Sequence, residues 1–258
     1  MLKQLTPTTL LIGVCLFAST NGMLSSWVEH PYFVSLNYKD SGENVCSGAL
    51  VDSRAVIVAA SCLSRHSNAR AKNLVAKASP RLFRNFNIRN IVVHPKYDPA
   101  TNDNDVAIAY LRKPIFSPLQ LGIMGSPFTS KHLNLGIVGN NSTVTEVIFH
   151  EKDVLNMRLL STVQSGSSCD SSHATVCAIS VEPDNQCPTN KGGPVVNLFT
   201  ESLVGISSFN PDKECNPGEA EGFTRIDLYR LWIDAEITKL PLININDYAS
   251  KAFNYIGK

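Results

Sequence analysis

Three short segments hold the side chains whose types could take part in covalent chemistry. Cys187-Pro-Thr-Asn-Lys-Gly-Gly-Pro194 sets Lys191 in front of a Gly-Gly-Pro turn. Val58-Ala-Ala-Ser-Cys62 sets Ser61 after an apolar run and beside a cysteine. Asn104-Asp-Val-Ala-Ile-Ala-Tyr-Leu111 sets Asp105 at the head of a run of apolar residues. Hydroxyl, amine and carboxylate are parts of acyl transfer, in which a hydroxyl attacks a carbonyl and a neutral base takes its proton. None of the three segments contains an imidazole, the usual base. A lysine can replace it only where desolvation strips its proton; in water at pH 7 it is an ammonium. The six histidines do not fill the gap. His30 and His94 precede prolines, and His66, His132, His150 and His173 are scattered without metal-ligand spacing. No metal and no cofactor is expected.

Each segment resembles a landmark of the chymotrypsin/trypsin family. The family's nucleophile loop reads Cys-x-Gly-Asp-Ser-Gly-Gly-Pro, so Lys191 stands at the nucleophilic serine and Asn190 at the aspartate before it. The family's Thr-Ala-Ala-His-Cys box places Ser61 at the general-base histidine, while Asp105 keeps the third triad position. Further landmarks come in the family's order: His30-Pro-Tyr-Phe-Val-Ser-Leu36, Cys46-Ser-Gly-Ala-Leu50, His94-Pro-Lys-Tyr-Asp98, and the closing segment Phe223 to Asp234. The resemblance runs from about Trp27 to Ile237. It implies an all-β fold of two six-stranded antiparallel β-barrels with a C-terminal α-helix.

The same alignment implies that protease chemistry has gone. Lys191 has no hydroxyl, and Ser61 cannot accept a proton at neutral pH. Losing either the nucleophile or the base costs roughly 10⁶ in rate in a subtilisin-type triad, about 8–9 kcal/mol. Thr189 stands where the family has an oxyanion-hole glycine. The Ile-Val-Gly-Gly start that arms family zymogens is absent, and so is its aspartate partner, replaced by Asn190. The specificity-pocket positions are Asn185, Asn210 and Glu221, which imply a narrow polar pocket with no carboxylate at its base. Lys191 is expected to form a salt bridge with Asp105, standing in for the lost imidazolium. Two alternatives stay open: a lysine directed to solvent, and a Ser61/Lys191 dyad able to hydrolyse amides. The dyad needs a neutral lysine, which a neighbouring Asp105 opposes.

The elements that must hold these residues are mostly strands. Short β-branched and aromatic runs recur between turn signals: Tyr32–Leu36, Ala55–Val58, Asn87–Val93, Asp105–Leu111, Gly192–Leu198 and Leu203–Ser207. One helix is expected, from Asp227 as N-cap to about Lys239, with Leu228, Leu231, Trp232 and Ala235 on its apolar face and Pro241 ending it. The tail after Pro241 holds Tyr248, Ala252, Tyr255 and Ile256 at helical spacing after Asp247. A tail docked on the barrel is expected, with a partner-binding element as the sharper alternative.

Residues 1–22 read as a signal peptide, with Lys3, an apolar run from Leu10 to Ala18, and cleavage within 18–23. The homology domain is then 23–240 and the tail 241–258. No later segment is apolar and long enough to cross a membrane, so a secreted, extracellular protein is expected. Of seven cysteines, Cys15 leaves with the leader and six remain. An even count in an oxidising compartment points to three disulfides, which spacing alone cannot pair. The resemblance implies Cys46–Cys62, Cys169–Cys177 and Cys187–Cys215. Asn140-Asn-Ser-Thr143 offers overlapping N-glycosylation sequons at Asn140 and Asn141, at most one of which is expected to be used.

The net charge of +1 excludes bulk attraction to nucleic acid or anionic membrane. It conceals an uneven placement, since residues 53–97 contain no Asp or Glu. Arg65, Arg70, Lys72, Arg81, Arg84 and Arg89 form a candidate exosite there, for an acidic protein or a sulfated glycan; a solvated face is the plain alternative. The expected function is that of a catalytically inactive serine protease homologue. It would serve as a monomeric cofactor, decoy or adaptor among extracellular proteins, including active proteases or their substrates, in an immune or reproductive cascade. A residual Ser61/Lys191 hydrolase and a glycan-binding module are the competing classes.

Overall fold

The computed structural model describes residues 32–64, 66–78, 85–115, 143–150, 154–163, 174–180, 192–197, 202–208 and 221–241. Twelve strands among them close into two barrels of six, all paired antiparallel. The first contains β1 (Phe33–Tyr38), β2 (Asn44–Asp52), β3 (Ala55–Val58), β4 (Leu74–Ala78), β5 (Asn85–Val93) and β6 (Ala107–Leu111). Its order is β1-β2-β3-β6-β5-β4, closed by β4 on β1. The second contains β7 (Thr143–His150), β8 (Val154–Val163), β9 (Thr175–Ser180), β10 (Pro194–Asn197), β11 (Ser202–Ser207) and β12 (Glu221–Arg225). Its order is β10-β11-β12-β9-β8-β7, closed by β7 on β10. Closure leaves neither sheet with an unpaired edge.

The first barrel's interior explains its sequence. Leu36, Leu50, Ile57, Leu74, Ile88, Ile108 and Leu111 are all fully buried. Each such side chain contributes roughly 1.5–3 kcal/mol on leaving water. β3 and β6 are buried at every position, which is why both read as unbroken apolar runs rather than alternating ones. β5 differs: Ile88 is buried, while Asn85, Asn87, Arg89 and Asn90 are exposed. A short helix, α1 (Ala60–Ser64), follows β3.

The C-terminal helix is shorter than expected and turned. Asp227–Tyr229 forms a 3₁₀ turn, followed by α2 (Arg230–Thr238). Asp227 does not cap the helix; it forms an ion pair with Arg225 at 2.9 Å. The buried face is Tyr229, Ile233 and Glu236, at i, i+4 and i+7. Leu231, expected inside, is 86% exposed, and Leu228 and Ala235 are exposed with it. The orientation is set by polar and aromatic partners on the first barrel that the apolar count ignores. The Tyr110 hydroxyl donates to Glu236 Oε2 at 3.1 Å, and the Tyr229 hydroxyl donates to Asn104 Oδ1 at 3.3 Å. The His94 ring sits edge-on between Tyr229 and Trp232, with centroids 5.1 and 4.9 Å away. No described helix is long and apolar enough to cross a membrane.

Candidate functional site

Ser61 and Asp105 are brought together by the pairing of β3 with β6. Val58 lies opposite Ala107, so the end of β3 and the start of β6 are adjacent. Two residues beyond, α1 carries Ser61 back over the strand ends. On the other side, Asp105 is delivered by a tight turn in which Asn102 and Asn104 hold positive φ, 59° and 55°. Asparagine tolerates that left-handed region better than other side-chain-bearing residues. The Asn104 amide donates to the Lys96 carbonyl at 2.9 Å and fixes the turn.

Asp105 is fully buried and accepts hydrogen bonds from three groups among the described residues. The Ser61 backbone N–H donates to Oδ1 at 2.6 Å, and the Ser61 hydroxyl donates to Oδ2 at 2.6 Å. The third comes from Ser208, at the end of β11 in the second barrel, whose hydroxyl donates to the same Oδ2 at 2.6 Å. The carboxylate therefore joins the two barrels. Donors of this kind offset the desolvation of a buried charge. Ser208 was missed from the sequence: a serine after an apolar strand carries no motif, and it lies 103 residues from Asp105.

The seat of the Gly-Gly-Pro loop is also described. Gly192 takes φ +83°, and a Cβ there would come 2.4 Å from the Ser47 carbonyl oxygen on β2. Only glycine fits such an approach with that backbone. The Gly192 N–H donates to the Ser207 carbonyl, and the Ser207 N–H donates to the Gly193 carbonyl. The loop is thus held against β11 next to Ser208 and against β2 next to Cys46. The Cys46–Cys62 disulfide, with Cα atoms 5.8 Å apart, ties β2 to α1 directly behind Ser61.

The remaining expected residues are distributed unevenly. Cys177, on β9, is disulfide-bonded. Lys191, Thr189, Asn190, Asn185, Asn210, Cys169, Cys187, Cys215, Asn140 and Asn141 lie outside the described residues, as do the segment expected to be a signal peptide and the tail beyond Pro241. Glu221 opens β12, half-buried, opposite Ala178. Of the candidate exosite, Arg65, Arg81 and Arg84 are outside the described residues, while Arg70, Lys72 and Arg89 are exposed. Among the described residues no three His, Cys, Asp or Glu side chains are grouped as metal ligands.

Local fields act on two nearby groups. Burial, followed by the charges of Asp103, Asp105 and Asp227, pushes the Tyr229 hydroxyl up to about 12. Burial, followed by the charge of Lys96, lowers His94 below the usual imidazole range. Tyr229 is therefore a neutral donor at neutral pH, as its bond to Asn104 requires.

Chemically, the described arrangement holds a carboxylate with hydroxyl and amide donors. Ser61 is 1% exposed and its proton is directed to Asp105. Nothing in this set of residues supplies an imidazole.

The chain is similar in sequence to known proteins. The family model described as Trypsin matches residues 20–233. A vitellin-degrading protease of Bombyx mori is 25% identical over 234 residues, covering 84% of each chain. A chymotrypsin of Phaedon cochleariae is 27% identical over 220 residues, 79% of this chain and 76% of its own. A collagenase of Hypoderma lineatum is 24% identical over 218 residues, 79% of this chain and 81% of its own.

Proposed function

The chain belongs to the trypsin family, and from that premise we propose that it is a non-catalytic member: a secreted binding or regulatory protein that engages extracellular proteins without cleaving them. The observation that carries this reading is the partner set of Asp105. At the position where the family keeps its general base stands Ser61, whose hydroxyl donates to the carboxylate, joined there by Ser208. This hydroxyl cannot serve as a base at neutral pH, and at 1% exposure it is not presented to a substrate. Lys191 in place of the nucleophile supports the same reading. The proteases among its relatives are a reason to test it directly. In this reading the Lys191 ammonium lies beside Asp105 and replaces the imidazolium charge. Lys191→Met then lowers the melting temperature at neutral pH, and an unchanged value sinks that ion pair.

The deciding experiment uses purified secreted protein with casein, a peptide library and a serine-reactive fluorophosphonate probe, with Ser61→Ala in parallel. Absence of turnover and labelling is the expected result. Turnover lost in Ser61→Ala overturns the proposal and makes a Ser61/Lys191 dyad the mechanism.

A further inference from the structure

The overall charge of +1 hides a division between the two halves of the molecule. Between residues 32 and 115, which make the first barrel, twelve Lys and Arg stand against six Asp and Glu, a formal +6; the rest of the chain is therefore at −5. Within this barrel the acids are also displaced. From 53 to 145 the only ones are Asp98, Asp103 and Asp105. All three sit at the end of the β5–β6 hairpin marked by the pair Val93 and Ala107.

The opposite end of that hairpin collects cations. Lys77 on β4 lies directly across from Asn85 on β5. On the other flank of β5, the Arg112 N–H donates to the Asn87 carbonyl at 2.8 Å, so Arg112 and Lys113 continue the sheet just past β6. Arg89 is on β5, two residues from Asn87. Three neighbouring chains about 4.8 Å apart thus gather Lys77, Arg89 and Arg112, with Lys113 next in the chain, at this end of the sheet, roughly 10 Å across the strands. Arg89, Arg112 and Lys113 are exposed and Lys77 is half-exposed. The ion pairs seen among the described residues are Arg225–Asp227, Arg230–Asp234 and Glu236–Lys239, all around the C-terminal helix. None takes in these four cations. Among the described residues no acidic side chain neutralises them.

We propose that this face, Lys77, Arg89, Arg112 and Lys113, binds a sulfated polysaccharide. Two features select that chemistry over an acidic protein. Asn85, Asn87 and Asn90 are exposed between the cations, and their amides both donate and accept, as hydroxyl and sulfate groups require. Among the described residues the face also lacks the exposed aromatic or aliphatic anchor on which protein interfaces rest; the large exposed apolar side chain of β5, Val93, is at the strand's far end. Arginine's planar fork suits a tetrahedral oxyanion through paired hydrogen bonds. The proposal deepens the binding role argued above and needs it only for the absence of turnover. Hydrolysis of casein by the wild type would sink that role and leave the glycan face standing.

The test is binding of fluorescent heparin to the full secreted chain across a salt series, for wild type, Arg112→Ser/Lys113→Ser, and Lys96→Ser. The second variant removes a charge from an exposed site near the Val93–Ala107 end of the hairpin, away from this face. Circular dichroism melting is to match wild type in both. Binding near physiological ionic strength, about 0.15 M, is expected for the wild type. By counterion release, each lost contact lowers the slope of log affinity against log salt by about 0.9, so the first variant loses about 1.8 and the second nearly nothing. Equal losses in both variants, or no binding by the wild type, overturn the proposal. Competition by polyglutamate as strong as by heparin at equal charge also overturns it, and assigns the face to an acidic protein.

Discussion

Replacing Ser61 with alanine isolates the hydroxyl that donates to the buried Asp105 carboxylate. The side chain is 1% exposed, and its Oγ donates to Asp105 Oδ2 at 2.6 Å. A hydrogen bond to a charged acceptor contributes about 1.5–3 kcal/mol net. Asp105 Oδ2 keeps the Ser208 hydroxyl after the change, so the acceptor is not orphaned and about 2 kcal/mol is the expected loss. For a domain of this size each kcal/mol moves the melting temperature by roughly 2–4 °C, giving a drop of about 4–8 °C. The assay is thermal unfolding by circular dichroism at neutral pH, with Ser64→Ala as the reference. Ser64 is exposed, bonds back to the Ser61 carbonyl and contacts the Tyr97 hydroxyl, and its loss should cost under about 0.5 kcal/mol. A drop below about 2 °C for Ser61→Ala, or equal drops in the two variants, refutes the view that this hydroxyl holds the carboxylate. Ser61→Ala/Ser208→Ala should depart from additivity, because both hydroxyls share one oxygen.

Three other outcomes follow from the same geometry. Gly192→Ala forces a Cβ to 2.4 Å from the Ser47 carbonyl with φ at +83°, so it should lose at least about 2 kcal/mol and lower the yield of folded protein, read by unfolding midpoint and by expression. Cys46→Ala/Cys62→Ala opens a loop of sequence separation 16 and should cost about 3 kcal/mol in denaturant unfolding. The Tyr229 hydroxyl, raised to about 12 when folded, ionises near 10 when unfolded. Its contribution to stability is therefore complete below about pH 10 and lost as pH rises towards 12. Between those values Tyr229→Phe should melt with a shallower pH dependence than the wild type.

Much of the fold was legible because it rests on local signals. The apolar run Ala55–Val58 is β3 to the residue, and Asp105–Leu111 contains β6. Ser61 and Asp105 were found through the boxes around them, and the structure joins them by two hydrogen bonds. What stayed hidden is non-local. Ser208 meets Asp105 only because two barrels abut, and no periodicity reports that. The helix was placed correctly in sequence but faced wrongly. Its orientation is decided by Tyr110, Asn104 and His94, which lie more than a hundred residues earlier. The cationic stretch was visible as composition, yet sequence order grouped Arg70 and Lys72 with Arg89. The structure sets Lys72 beside Lys39, whose ammonium donates to its carbonyl at 2.6 Å, and puts Arg112 and Lys113 next to β5 instead.

The strap made by the C-terminal helix has a consequence for the order in which the chain is built. Ile226, Tyr229 and Ile233 pack into the same core as the first barrel's strands, and Arg54 donates to the Pro241 carbonyl. The barrel translated first is thus closed over by the segment translated near the end. At roughly 5–20 residues per second, the stretch from Ile115 to Pro241 takes about 6–25 s to emerge. Through that interval Tyr110 and His94 lack their partners, so the nascent first barrel presents an apolar flank to chaperones. A ribosome stalled before the Tyr229 codon should hold a chaperone-bound chain, and one stalled well past Pro241 should release it.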